Sequence, residues 1–363
     1  SSCDSEVVVA VLSDATTGAD AKARYDHVTA ALSAIAKGLG ASTGSDAPRT
    51  IVFVQRRTEA VGTFDWGYDA FVAALHLERR GVHFRVLTVD QSMGSEQLCA
   101  AIANETATDR TYDSASYEGE MRRIARPKVI RRRALTARSR QLAADDVVVV
   151  TGGARGITAE CALALARKTG ARMVLAGSSV HPEDAPDADG DSEISKTLGR
   201  FQHEGLRAEY LQCDVTDPED VARLVKAARR HKGHIAAVVH GAAVNRPRRA
   251  NKVSADEARE EIGPKLLGAL NLFDALRDDP PEIFCALTSI IGVTGMPNNA
   301  WYGFANQALD RSLGAFAETY PETTAISMAF SIWEEVGMGA KLGTVEGLAK
   351  IGTNAIPVDE GVS

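Results

Sequence analysis

Ser289 and Tyr302 stand thirteen residues apart, and Asn306 follows the tyrosine by one helical turn. A phenol and a serine hydroxyl converging on one crevice suit the reduction of a carbonyl. The serine polarises and positions the oxygen, and the tyrosine gives it a proton as hydride arrives. That role asks a phenol of ordinary pKa about 10 to fall toward neutrality, which a nearby ammonium achieves by stabilising the tyrosinate. The position one turn after Tyr302 holds an amide rather than a lysine. The candidate cation is therefore Lys265, in Pro264-Lys265-Leu266-Leu267-Gly268, where an otherwise apolar helix face gives little structural reason to hold a charge. Each residue alone has a commoner use: a half-buried helix tyrosine, a turn serine, a snorkelling lysine. Jointly and in order they read as a catalytic set.

A hydride source is needed, and the chain offers a place for one. Four consecutive valines, 147 to 150, run into Thr151-Gly152-Gly153-Ala154-Arg155-Gly156-Ile157 and then a helical window from Ala159 to Lys168. Glycines at 152, 153 and 156 leave a strand-to-helix turn without side chains, so backbone can approach a pyrophosphate facing the free amides of the helix. Glycine turns also occur with no ligand; the buried strand before this one and the helix after it point to a dinucleotide. At the end of the next strand, where a carboxylate would take the ribose hydroxyls of NAD, stands Gly177-Ser178-Ser179. Nothing there repels a 2′-phosphate, and Ser178, Ser179 and Arg155 can donate to it, so NADPH is the expected cofactor. Asp214-Val215 follows the third strand, either at an adenine edge or as a turn aspartate. Gly241-Ala242-Ala243 follows the fourth, too small to obstruct a cofactor and equally suited to plain packing.

Short Val- and Ile-rich runs alternating with amphipathic windows must position these groups, and they predict an α/β fold. In the first half the pattern places strands at 6–12, 50–55 and 84–90, with helices at 24–37, 67–78 and 96–104. No glycine-rich turn follows any of these strands; Ile51-Val52-Phe53-Val54 runs into Gln55-Arg56-Arg57, whose bulk blocks a pyrophosphate. The second half starts afresh at Val147, with further strands at 172–175, 207–213, 235–240 and 283–289 and helices near 192–203, 218–230 and 255–276. We expect two Rossmann-like subdomains: a truncated one over 1–140, and a complete doubly wound parallel sheet over 141–363. Their junction is dense in arginine (Arg131, Arg132, Arg133, Arg138, Arg140), more readily a solvated connector than a docking patch for an acidic partner. The acidic stretch 181–191 reads as an exposed loop; it lacks the closing glutamate of a calcium loop.

Composition narrows the partners. The 363 residues are 45% apolar and carry a formal charge of −7, which disfavours nucleic acid and anionic membrane and leaves a small, mobile partner. Five scattered cysteines show no zinc spacing and read as reduced thiols. No run reaches the roughly 18 apolar residues of a membrane span and no signal-peptide pattern opens the chain, so a cytoplasmic location is expected. Beginning without methionine and stopping just after Asp359-Glu360-Gly361, the chain reads as a segment of a longer polypeptide with flanking domains.

Along nearly its whole length the chain resembles the ketoreductase domains of type I polyketide synthases and polyunsaturated fatty acid synthases. The resemblance rests on Lys265, Ser289, Tyr302 and Asn306, since that family exchanges the lysine and asparagine places of other short-chain dehydrogenases. The stretches 288–302 and Trp333-Glu334-Glu335-Val336-Gly337-Met338 look most like the polyunsaturated branch. It implies NADPH-dependent reduction of a β-ketoacyl thioester carried on an acyl carrier protein, as one domain among flanking synthase domains. It further implies that the first half is a structural subdomain without cofactor, and that residues 335–351, with glycines 337, 339, 343 and 347, form a mobile lid. Met296, Trp301 and Met338 would line the acyl path, although packing is the commoner use of the first two. The chain departs from the family at Ser178, where many members carry arginine, and at Asn245-Arg246-Pro247, where a Leu-Asp-Asp stereochemical marker would fall. Two readings compete: an inactive scaffold of the same fold, and a free-standing dehydrogenase of small alcohols or steroids.

Overall fold

Hydrophobic runs bounded by helical windows become parallel strands and covering helices because each sheet face must bury its apolar side. In the computed structural model the described residues are 7–12, 21–41, 49–57, 66–129, 141–181, 192–341, 344–350, 352 and 354–363. The arginine-dense junction from Arg131 to Arg140, Glu6, Gly343 and residues 182–191 of the acidic stretch lie outside them. The chain divides into two compact units. One comprises Ser1–Arg138, Arg246–Ile262 and Ile290–Ala315; the other comprises Ser139–Asn245, Gly263–Ser289 and Phe316–Ser363.

The first unit runs β1 (Val7–Leu12), α1 (Ala21–Ala41), β2 (Arg49–Arg57), α2 (Asp69–Glu78), β3 (Val82–Asp90), α3 (Ser95–Thr106), β4 (Tyr112–Glu118) and β5 (Met121–Arg123). The sheet order is β1-β2-β3-β4-β5, parallel except for the last pair. Val52, Val54, Leu87 and Val89 bury one face against Met93 and Ala101, with Ala115 and Tyr117 of β4. The strand pattern expected for this half holds for β1 to β3 but misses β4 and β5. Tyr-Asp-Ser-Ala-Ser-Tyr-Glu carries no apolar run, and only pairing with β3 makes it a strand.

The second unit begins with β6 (Val147–Thr151), every residue of which is buried, as β-branched side chains on a central parallel strand should be. It continues through α4 (Gly156–Thr169), β7 (Arg172–Gly177), α5 (Glu193–His203), β8 (Ala208–Gln212), α6 (Pro218–Lys232) and β9 (Ala237–His240). The helix expected over 255–276 is two helices, α7 (Ala255–Ile262) and α8 (Leu266–Ala275). Pro264 lacks an amide hydrogen and disfavours helical geometry at Gly263, so the chain turns there and restarts with Lys265 at the N-cap of α8. Next come β10 (Ile283–Ser289), α9 (Ile291–Thr294), α10 (Ala300–Thr319) and β11 (Thr324–Phe330), followed by α11 (Gly337–Lys341), α12 (Thr344–Ala349) and α13 (Val358–Gly361). Of these elements α7, α9 and the start of α10 belong to the first unit.

The second sheet is fully parallel with order β11-β10-β9-β6-β7-β8. Strand order reverses between β6 and β9, and in such sheets the crevice at that switch point, beyond the carboxyl ends of the strands, is where ligands bind. Val148, Val150, Leu175, Val239 and Leu287 lie in its core with Leu163, Ala166, Ile194 and Phe201 of the helices. Each of the Val, Leu, Ile and Phe side chains among them contributes roughly 1.5–3 kcal/mol on burial.

Candidate active site

The turn after β6 is shaped by missing side chains. Gly152 adopts φ +70° and its amide donates to the Ala176 carbonyl at 2.7 Å. A Cβ there would meet the backbone of Gly241 and Ala242 at 2.9 Å, so the β6 turn and the segment after β9 touch backbone to backbone. Thr151 is buried, Gly153 lies against Val150, and Gly156, at φ +56°, opens α4 beside Gly337, which lies against Ile157. Arg155 forms the N-cap and is exposed, its Nη2 donating to Ser179 Oγ at 3.0 Å. Ser178 and Ser179 are held by carbonyl contacts from Gln212 and Tyr210. The site thus combines a cradle that any Cβ would fill, helix amides, and a guanidinium with a hydroxyl beside it. Those features fit a dinucleotide phosphate.

Asp214, expected at an adenine edge or in a turn, makes a turn: its Oδ1 accepts from the amide and hydroxyl of Thr216 at 2.9 and 2.8 Å. Val215 is buried against Gly268 of α8, and its carbonyl accepts from Asn271 Nδ2 at 2.9 Å. Gly241, Ala242 and Ala243 are half-buried.

Lys265 is 3% exposed, and its ammonium donates to the Leu287 carbonyl at 2.6 Å, two residues before Ser289 closes β10. Burial alone pulls its pKa down to about 7. The structure thereby brings the expected cation to the strand that ends in the expected serine. A residue with no motif to announce it ties Lys265 to the turn after β6. His240, fully buried at the end of β9, contacts Thr151 Oγ1 through Nδ1 at 2.7 Å and the Lys265 carbonyl through Nε2 at 2.8 Å. The carbonyl can only accept, so Nε2 carries the hydrogen and Nδ1 accepts from the threonine. Burial lowers the His240 pKa to about 4, keeping it neutral, a strand-end positioning group rather than a base.

Tyr302 and Asn306 lie on α10 within the first unit. Tyr302 is buried, and Asn306 Nδ2 donates to its backbone carbonyl at 2.7 Å. Burial first, and the Glu261 carboxylate as well, push the phenol up to about 12 against the opposing pull of Asn306. That is the reverse of the fall toward neutrality expected from the sequence, because the apolar surroundings penalise the phenolate more than any local dipole stabilises it. Trp301 is 1% exposed, edge-on to Phe71 at 4.9 Å with its Nε1 donating to the Ala250 carbonyl, so it is a packing residue. Met296 and Met338 are both half-buried.

Helix α2 holds the start of α10 in ways the sequence did not announce. Gln307 bonds the Ala70 amide and the Asp69 carboxylate, Arg311 pairs with Asp69, and the Tyr68 and Phe304 rings stack at 6.0 Å. Glu78 accepts from the amides of Ala250 at 3.1 Å and Asn298 at 3.0 Å, fixing the loop ahead of Tyr302, where Asn298 itself sits at φ 63°. No local pattern marks Glu78, since its partners lie far away in sequence.

Residues 146–335, more than half of the chain, match the KR domain family model. The polyketide synthase ThaG of Burkholderia thailandensis is 26% identical over 97% of the chain, which covers 6% of that protein. One polyunsaturated fatty acid synthase component from Thraustochytrium sp. is 27% identical over 48% of the chain and 8% of its own length. The chain thus spans a small fraction of these curated relatives. Among solved structures, an N-terminal ketoreductase from the macrolactin assembly line superposes with a TM-score of 0.78 at 18% identity, covering 98% of this chain and 69% of that one. A ketoreductase domain from the bacillaene assembly line gives 0.77 at 19%, covering 98% and 88%. With the glycine cradle at the switch point of a doubly wound sheet and the family match across it, the chain belongs to the KR domain family of polyketide synthases, in the short-chain dehydrogenase/reductase superfamily.

Proposed function

We propose that this domain reduces a β-ketoacyl thioester, presented by an acyl carrier protein, to the β-hydroxyacyl product with NADPH. KR domains of this superfamily bind a nicotinamide cofactor, which supplies hydride when bound. Residues 141–363 would hold it: the Thr151–Ile157 turn at the pyrophosphate, and Arg155 with Ser178 and Ser179 at the 2′-phosphate. Residues 1–140 would be the structural subdomain, and the whole would work in the cytoplasm within a larger synthase.

In this reading Ser289 positions the substrate carbonyl, Tyr302 donates the proton, Lys265 supplies positive charge and Asn306 orders the groups around the tyrosine. A phenol held near 12 keeps its proton at neutral pH and still gives it up readily to an alkoxide, which is far more basic. The observation that carries the reading is the buried Lys265 bonded to the strand ending in Ser289 and linked through His240 to the cofactor turn. An ammonium is costly to bury, and a purely structural position would more readily hold an apolar side chain.

The test is Tyr302→Phe assayed on a β-ketoacyl thioester mimic. Turnover should drop by about 1,000-fold, within the range for loss of a general acid, while NADPH fluorescence titration stays unchanged. Unaltered turnover rejects the assignment, and failure of the wild type to bind NADPH favours the scaffold reading.

A further inference from the structure

Two residues interrupt the leucine-rich run Leu266–Phe273 of α8: Gly268 and Asn271. Glycine inside a helix is less stable than alanine, and here the space for a side chain is already taken. A Cβ on Gly268 would stand 2.7 Å from Val215 Cγ2 and 3.3 Å from His240 Cε1, so the bare position receives both side chains at once. Three residues on, the half-buried Asn271 donates from Nδ2 to the Val215 carbonyl at 2.9 Å. At the N-cap of the same helix the Lys265 carbonyl accepts from His240 Nε2 at 2.8 Å. Helix α8 is thus fastened at its first turn to the end of β9, and further along to the segment after β8. Those two strand ends lie on opposite sides of β6 in the sheet order β11-β10-β9-β6-β7-β8. With a pyrophosphate at the β6 turn and a 2′-phosphate at Arg155 and Ser179, beyond the end of β7, the adenosine half of a dinucleotide falls on the β7-β8 side. The nicotinamide half falls on the β9-β10 side, where Lys265 reaches the Leu287 carbonyl.

We propose that Asn271 is a positioning residue for the adenosine end of the cofactor: by holding the Val215 carbonyl it fixes the segment after β8 to the helix that carries Lys265. The inference rests on the reading of the β6 turn as the NADPH site. Local hydrogen bonds of Asp214 with Thr216 and Asp220 hold the shape of that segment, and the Asn271 bond holds its place against α8. Six residues of helix put about 9 Å of rise between Lys265 and Asn271, so the two halves of the crevice keep one spacing. Gly268 lets the helix come close enough for the bond to form. Without the amide, the Val215 carbonyl loses its donor and the segment can shift relative to Lys265.

The probe is adenosine 2′,5′-bisphosphate, which has no nicotinamide, titrated by calorimetry into wild type, Asn271→Leu and Gly268→Ala. Asn271→Leu keeps side-chain bulk and removes the donor. Its affinity for the bisphosphate should fall about tenfold and its KM for NADPH should rise about as much, while kcat at saturating NADPH stays within about twofold. Gly268→Ala should weaken the bisphosphate as well and also lower kcat, because the added methyl presses on His240 as it does on Val215. A Gly268→Ala protein that binds and turns over as wild type overturns the proposal. A merely structural amide would leave the bisphosphate affinity unchanged and lower only the midpoint of urea unfolding; that result overturns the proposal, as does a fall in kcat with KM unmoved. Should Asn271→Leu fail to fold, wild type decides: the Asn271 side-chain NH2 signals must shift in the NMR spectrum as the bisphosphate saturates, and unmoved signals overturn the proposal. If wild type binds neither NADPH nor the bisphosphate, the reading of the β6 turn falls; if it binds both and Asn271→Leu binds them equally well, only this inference falls.

Discussion

Two buried parallel strands in this chain, β6 and β2, end in opposite ways. After β6 the backbone is bare: Gly152 sits against the backbone of Gly241 and Ala242, and Gly156 opens α4. The last three residues of β2 carry side chains that bond within the protein. Gln55 accepts from the Tyr68 amide, Arg56 donates to the Gln91 and Met93 carbonyls, and Arg57 pairs with Asp90. Both strands sit in parallel pairings covered by helices, so architecture does not decide whether a crevice takes a ligand. A strand end whose side chains bond within the protein offers no bare backbone, whereas a turn stripped of side chains leaves amide donors for a phosphate.

The largest expected consequence is at the bare turn. Gly152→Val forces a branched residue into a left-handed conformation and drives its Cβ into backbone. NADPH affinity should weaken by about 100-fold, near 2.7 kcal/mol, by fluorescence titration; retained affinity would mean that the cradle is no cofactor site. Lys265→Met should come next, with reductase activity falling at least about 100-fold and the pH dependence of stability changing too. A lysine whose folded pKa lies below its unfolded value binds fewer protons when folded, so this group makes stability rise with pH between about 7 and 10.5. Urea unfolding should lose roughly 2 kcal/mol of that rise between pH 7 and pH 9 in the variant.

Smaller effects sharpen the contrast. Arg155→Ala removes the guanidinium bonded to Ser179 and should weaken NADPH about tenfold while leaving NADH unaffected, because only the former carries the 2′-phosphate. Equal loss for both cofactors would move Arg155 to the pyrophosphate. At the end of β2, Arg56→Ala should leave NADPH binding untouched and cost at most about 1 kcal/mol in chemical denaturation, the worth of its carbonyl hydrogen bonds.

Much of this was legible in the residues. Four valines running into a glycine-rich turn specify a central strand and a bare loop by local sterics, with no need for distant contacts. Serines at the end of β7 and a lysine among leucines were equally readable, as was the lack of any glycine turn in the first half. Less visible were β4, whose polar residues become a strand through pairing with β3, and β5, which pairs in turn with β4, and the break at Pro264, which the apolar periodicity on either side conceals.

What the sequence by itself determined is therefore the inventory: which turn is bare, which residues can donate a proton, and which helix carries an unexplained cation. Only the tertiary structure decided what those groups experience. It buried Lys265 against the Leu287 carbonyl, set His240 between Thr151 and Lys265, and raised the Tyr302 phenol. The reason is that protonation and orientation depend on desolvation and on partners dozens to hundreds of residues away, neither of which is encoded at the residue that feels them.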